Sequence, residues 1–216
     1  MFRRLVFLGP PGAGKGTQAA ISSRLLKVPS IATGSIFREA ISQGTGLGRE
    51  ISQFVHSGLL VPDKLTNAIV TERLKKPDCA DGFLLDGYPR NVAQAQAFDT
   101  FLKKRNQSLE KALYFKVDAS VVVSRLGQRR VCSKCETNYN LLTRPPKKPG
   151  ICDLCGGELF TRIDDQPQSI TRRLEIYVAN LQPLLDYYQK QGILSVLDAS
   201  QPVEKVSADF ATLVGM

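Results

Sequence analysis

Short apolar runs alternate along this chain with longer stretches in which apolar residues return every three or four positions. Residues 2–8, carrying Leu5-Val6-Phe7-Leu8, predict a strand, and 15–27 predict a helix. A short strand is expected around 29–32 and another at 82–86, Gly-Phe-Leu-Leu-Asp, followed by a helix over 91–104. Strand 111–117 and helix 119–129 come next, and after a cysteine-bearing block a long helix spans 167–190, with Pro167 suited to its first turn. Strand 193–197 and helix 203–214 end the pattern. Apolar runs this unbroken suit strands covered on both faces, and the β-then-α order predicts a parallel sheet between two helical layers. Two segments break the rhythm. Residues 32–61 carry helical pattern between strands and predict a small helical insertion. Residues 130–165 are rich in Cys, Pro, Gly and Lys, have little helical period, and predict a separate small lobe.

The first turn of the pattern carries chemistry. Gly9 to Thr17 read GPPGAGKGT, directly after the first apolar run. Glycines let backbone N–H groups turn inward, the following helix aims its positive end at the same point, and Lys15 adds a mobile cation. The expected ligand is a nucleotide with a polyphosphate tail. Where the general phosphate loop has Ser or Thr after the lysine, this chain has Gly16 and then Thr17.

Composition adds little to this. With 216 residues, 43% hydrophobic and 23% charged, the chain suits one α/β domain with insertions. No apolar stretch approaches a membrane span. The start MFRRLVFLGPPG has basic residues before an apolar run, but that run is too short for a secretory signal and leads into the phosphate loop, so the chain reads as intracellular and cytoplasmic. The formal charge of +9 and pI near 9.4 fit either a nucleic-acid partner or small polyanions, and composition does not choose between them. Four of the five cysteines form Cys132-x-x-Cys135 and Cys152-x-x-Cys155 with sixteen residues between the pairs, the spacing of a zinc ribbon. Disulfides are the competing reading, disfavoured in a reducing compartment. Cys79 has no partner in this pattern and reads as a small buried apolar residue.

Further motifs place arginines and an acid where ligands gather in open α/β sheets, beyond the C-terminal ends of strands. They are Thr33-Gly-Ser-Ile-Phe-Arg38, the run Gly82 to Arg90 containing Asp86, Arg125 and Arg129 at one helical face, and Arg162-Ile-Asp-Asp ahead of the long helix with Arg172 and Arg173. With GPPGAGKGT, these motifs resemble adenylate kinases of the nucleoside monophosphate kinase family. The likeness covers essentially the whole chain, and the cysteine quartet is similar to the zinc-bearing lid of some bacterial members. The resemblance implies a five-stranded parallel phosphate-loop core (1–31, 62–127 and 166–216), a helical AMP-binding insertion (32–61) and a zinc-binding lid (128–165).

It also implies the reaction MgATP + AMP ⇌ 2 ADP, which maintains adenine nucleotides. By resemblance, Gly12, Ala13, Gly14, Lys15, Gly16 and Thr17 hold the ATP phosphates, with Arg129, Asn138, Tyr139 and Gln201 as further ATP contacts. Thr33, Arg38, Leu59, Leu60, Val61, Gly87, Tyr88, Pro89, Arg90 and Gln94 enclose AMP. Arg125, Arg162 and Arg173 converge on the transferred phosphoryl, and Asp86 organises water around Mg²⁺. Cys132, Cys135, Cys152 and Cys155 hold a structural Zn²⁺. The partners implied are ATP, AMP and ADP, with no nucleic acid or membrane, for a monomer. The residue types suit the reaction: an AMP phosphate is already an anion and needs no base, and the lone histidine, His56, lies outside every motif. Ser35 stands where the family often has Asp, Tyr88 where Phe is common, and Gln201 where Lys is frequent. Two other readings compete: a kinase for a different nucleoside monophosphate or donor, and a zinc-ribbon nucleic-acid binder with ATPase activity, against which the ribbon's lack of clustered aromatics counts.

Overall fold

The structure, a computed structural model, describes residues 1–216. Its centre is a five-stranded parallel sheet in the order β2-β3-β1-β4-β8. The strands are β1 (Arg4–Leu8), β2 (Ser30–Ala32), β3 (Phe83–Asp86), β4 (Lys111–Lys116) and β8 (Leu194–Asp198). β1 pairs with β3 from Arg4↔Phe83 to Phe7↔Asp86 and with β4 from Leu5↔Lys111 to Leu8↔Tyr114. Side chains alternate along β1, so its apolar run divides between two cores. Leu5 and Phe7 face Phe115 and Phe210 under α1 (Lys15–Leu26) and α8 (Val203–Leu213). Val6 and Leu8 face Val70, Phe98 and Tyr188, from α4 (Asp63–Leu74), α5 (Val92–Lys103) and α7 (Pro167–Lys190). Burial on both sides explains why the strand sequences read as unbroken apolar runs.

The two irregular segments fold as small units outside this sandwich. α2 (Thr33–Ser42) and α3 (Gly46–His56) form a helical pair around Phe37, Ile51 and Val61. Their approach is so close that a Cβ on Gly48 would lie 2.0 Å from the carbonyl oxygen of Ala40. After α6 (Ala119–Gly127), a three-stranded antiparallel sheet of β5 (Arg129–Cys132), β6 (Asn138–Asn140) and β7 (Leu159–Phe160) carries the cysteines.

Two differences from the sequence expectation stand out. α4 fills 63–74, a stretch for which no element was expected. Helix α6 ends at Gly127, two residues before Arg129, which instead opens β5 and pairs with Asn140. Arg125 and Arg129 therefore do not share a helical face. Strand pairing in the small sheet outweighs continuation of the helix past Gly127 and Gln128.

Candidate active site

Parallel pairing brings the C-terminal ends of β1, β2 and β3 to the same end of the sheet, and the residues that leave those strands form a single cleft. The loop after β1 enters α1 through Gly14, whose φ of 90° lies in the left-handed region, and no side chain caps the helix. The first turn of α1 contains no acid. Its free N–H groups and positive end are left for an anion. Gly12 permits the loop to lie on α6, since a Cβ there would come within 2.9 Å of Leu126.

Lys15 is folded back over this loop. Its Nζ donates to the carbonyls of Gly9 (2.9 Å) and Pro10 (2.8 Å) and stands 3.9 Å from Asp86 Oδ1 at the end of β3. Burial pulls its ammonium down to about 8; Asp86 opposes the shift, and the charges of Arg90, Arg173 and Arg129 add to it. Three arginines from distant parts of the chain thus act on one lysine. Arg90, exposed by its surface but crowded by the cleft walls, is lowered to about 10, first by partial loss of water and then by Arg173. Arg162 is lowered to about 10, first by burial and then by Arg129 and Arg38. The guanidiniums keep their charge at these values near neutral pH.

Carboxylates hold this repulsive set together. Arg129 makes a two-point ion pair with Asp165, and Arg173 donates to Asp164 (3.0 Å) and Asp165 (3.3 Å). Asp164 is held below its ordinary range because these cations outweigh the cost of its burial. The cleft still has Lys15, Arg38, Arg90, Arg129, Arg162 and Arg173 against Asp86, Asp164 and Asp165. Such an excess of positive charge, partly desolvated, is arranged for a polyanion.

Beside it runs a crevice with about 10 Å³ of free space, room for about one water. Thr33, Leu60, Val61, Gly87, Arg90 and Gln94 line it, joined by Phe37 and Thr66, which the motifs did not single out. Thr33 Oγ1 donates to the Gly87 carbonyl (3.1 Å) and Arg90 Nε donates to the same oxygen (2.8 Å); Leu59 is half-buried and does not line the crevice. Arg38 donates to Ser35 Oγ at 3.2 Å, so the serine in place of an acid serves Arg38 here. Tyr88 points away from the crevice: it is fully buried, edge-on to Phe98, with its hydroxyl on Asn67 (2.8 Å), and Pro89 beside it is buried.

Four further expected residues have other partners. Arg125 donates to the Ala199 carbonyl (2.9 Å), close to the turn where Gln201 Nε2 donates to Asp198 (3.0 Å). Asn138 accepts from Arg162 (3.3 Å). The Tyr139 side chain is turned into the small sheet, its hydroxyl 3.4 Å from Cys152 Sγ and accepting from the Asp153 amide (2.8 Å).

The four cysteines of the small sheet bring their sulfurs within 4.8 Å of one another, with Cys132–Cys155 at 3.4 Å and Cys135–Cys152 at 3.6 Å. No pair is a disulfide. A tetrahedral Zn²⁺ with bonds of about 2.3 Å sets its sulfurs about 3.8 Å apart, so the cluster fits a metal ion with little rearrangement. Cys79 is buried away from this cluster, beside Arg73 and Asp78.

A glycine-rich loop and an uncapped helix start on a doubly covered parallel sheet, facing a cationic cleft, make an α/β protein suited to a polyanion. The adenylate kinase family pattern matches residues 7–193. The chain is 50% identical over 210 residues to the adenylate kinase of Thermosipho melanesiensis, covering 97% of this chain and 98% of that one. It is 51% identical over 211 residues to that of Fervidobacterium nodosum (98% and 97% covered), and 45% identical over 212 residues to that of Clostridioides difficile (98% of each). The chain belongs to the adenylate kinase family and is a phosphotransferase enzyme. No helix is long and apolar enough to cross a membrane.

Proposed function

We propose that this protein catalyses MgATP + AMP ⇌ 2 ADP. The observation that carries this reading is the gathering of Lys15, Arg90, Arg129 and Arg173 within one another's field beside an uncapped, glycine-rich helix start. The chemical obstacle is repulsion between two phosphate groups, and fixed cations remove it while holding them in line. Gly12 to Thr17 cradle the ATP phosphates, and Lys15 follows the charge that shifts during transfer. Arg38 and Arg90 grip the AMP phosphate, for which a guanidinium offers two parallel donors. Arg129 and Arg173 exchange their carboxylate partners for phosphoryl oxygens as nucleotides enter, and Arg162, bonded to Asn138 and with its Nε unpartnered, turns to the same oxygens. Mg²⁺ on the ATP phosphates supplies further charge neutralisation, and Asp86, close to Lys15, is suited to hold its water shell. No proton acceptor is required of the protein; the lone His56 sits at the end of α3.

Residues 32–61 act as the AMP-side flap, 128–165 as the lid and the remainder as the core. The crevice is too narrow for a purine as it stands, so AMP enters by parting its walls. Closure then keeps water, a rival acceptor, from the transferred phosphoryl. Zn²⁺ in the lid is structural: four thiolates leave no open position for a reacting water, and a lobe with so small a core needs the cross-link. The enzyme works as a cytoplasmic monomer. A coupled assay of AMP, GMP, CMP and UMP as acceptors with ATP tests the reading. ADP formation with AMP alone supports it, and equal turnover with another nucleoside monophosphate contradicts the assignment of the acceptor.

A further inference from the structure

We propose that Asp63 is a specificity-determining positioning residue: it locks the Gln94 carboxamide the way round that accepts adenine and rejects guanine. The proposal rests on the proposed function, in which Gln94, one of the residues that the family resemblance places around AMP, meets the adenine through a carboxamide that offers donor and acceptor together.

Gln94 is 1% exposed and lines the crevice. Its Oε1 accepts from the backbone N–H of Arg90 at 2.8 Å, and its Nε2 donates to Asp63 Oδ1 at 2.7 Å. Asp63 lies at the start of α4, thirty-one residues away in sequence. It is held in turn by Asn91, whose Nδ2 donates to Oδ1 (3.0 Å) and Oδ2 (3.1 Å). Asn91 is itself fixed, because its Oδ1 caps α5 by accepting from the Gln94 amide at 2.8 Å. A backbone N–H only donates and a carboxylate only accepts. Turning the carboxamide over would set oxygen against oxygen at Asp63 and donor against donor at Arg90, so the two ends of Gln94 are not interchangeable.

A carboxamide has two N–H donors and an oxygen with two lone pairs. One of each is engaged inside the protein, which leaves one donor and one lone pair for a ligand. The exocyclic group at position 6 of adenine is an amine that donates, and that of guanine is an oxygen that accepts. An oxygen pinned by Arg90 suits the amine and meets the guanine oxygen with a second acceptor. The amide at Arg90 pins one end, but it is a single neutral hydrogen bond; the charged bond to Asp63 supplies the stronger hold. Asn91 and Asp63 therefore act on the base only through Gln94.

The test compares wild type with Asp63→Asn, Gln94→Ala and the double variant, measuring kcat and KM for AMP and GMP and the melting temperature. Asparagine has the shape of aspartate but no charge, so the bond to Gln94 weakens, and its amide would set donor against donor at Asn91 Nδ2 where Oδ2 stood; the lock loosens. The expected result for Asp63→Asn is a KM for AMP raised about tenfold, an AMP-over-GMP preference lowered about tenfold, and kcat at saturating AMP within about threefold of wild type, the scale of a buried polar contact. Asp63→Asn should add no further change in KM or preference once Gln94 is alanine. A helix-start role alone would lower the melting temperature and leave the AMP-over-GMP preference intact; an unchanged preference, or an effect of equal size in the Gln94→Ala background, overturns the proposal. If Gln94→Ala itself leaves KM and preference unaltered, the base-contact reading of Gln94 fails first and takes the role of Asp63 with it. Should Asp63→Asn fail to fold, Asp63→Ser, which suits a helix start and cannot reach Gln94, carries the same comparison.

Discussion

Lys15 should make nucleotide binding consume a proton in alkaline solution. Its ammonium titrates at about 8 in the ligand-free protein, well below its ordinary 10.5, because it is withdrawn from water among other cations. The free cation is therefore lost as pH rises through about 8. Bound phosphates favour the charged form and raise it again, so the bound state holds more protons than the free state above pH 8. At pH 9 only about a tenth of free Lys15 is charged, and binding should take up about 0.9 proton; at pH 7 the figure is about 0.1. Affinity should fall by nearly tenfold for each pH unit above about 8 until the raised value in the complex is reached. Arg90 and Arg162, at about 10, remain largely charged at pH 9 and add little. Titration calorimetry of a non-hydrolysable ATP analogue in two buffers of different ionisation heat reads the uptake directly. Lys15→Met should abolish most of it. An uptake near zero at pH 9, or one undiminished in Lys15→Met, refutes the placement of Lys15 as a desolvated phosphate-binding cation.

Other expectations concern single residues. Arg90→Ala should raise the KM for AMP by one to two orders of magnitude, about the worth of a charge-assisted bond to phosphate, with less change for ATP; steady-state kinetics against each substrate decides. Asp165→Ala leaves Arg129 and Arg173 without their shared, fully buried acceptor, and urea unfolding should show a loss of about 3 kcal/mol; an unchanged midpoint would remove its role as counterion. Purified protein should contain one zinc per chain, and stripping it with a chelator should lower the melting temperature; an identical thermal transition without metal would contradict a structural cluster. Gly48→Ala should destabilise the α2–α3 pair, seen as a lower melting temperature, since the added methyl meets backbone rather than a movable side chain.

Much of this architecture was readable from periodicity because the sheet is buried on both faces. Leu5 to Leu8 and Phe83 to Leu85 have no solvent side, so their apolar runs are unbroken. Helix α7 was placed at both ends because Pro167 marks its first turn and polar residues surround its close. α4 was missed because its inward positions, Thr66, Val70 and Leu74, begin with a polar residue and stand among charged ones. Pro62, just ahead of its first residue, was the available signal. The glycine-rich loop and the cysteine quartet are local in sequence and were plain. The counterions Asp164 and Asp165 were visible beside Arg162, yet their partners Arg129 and Arg173 come from other elements, so the pairing needed the fold. The same is true of Asp63 and Gln94. The ring of Tyr139 packs in the cysteine lobe, a choice that no spacing rule foresees.

The central claim is that clustered cations and inward-facing amides bring two anionic phosphates into reaction without a general base. Its most direct measurement is ADP production from ATP, AMP and Mg²⁺ by wild type and by folded Lys15→Met, followed by chromatographic separation of the nucleotides. Two ADP should form for each AMP consumed, and the variant should be slower by orders of magnitude at unchanged secondary structure. Absence of ADP with the wild type, or full turnover by the variant, would contradict the account.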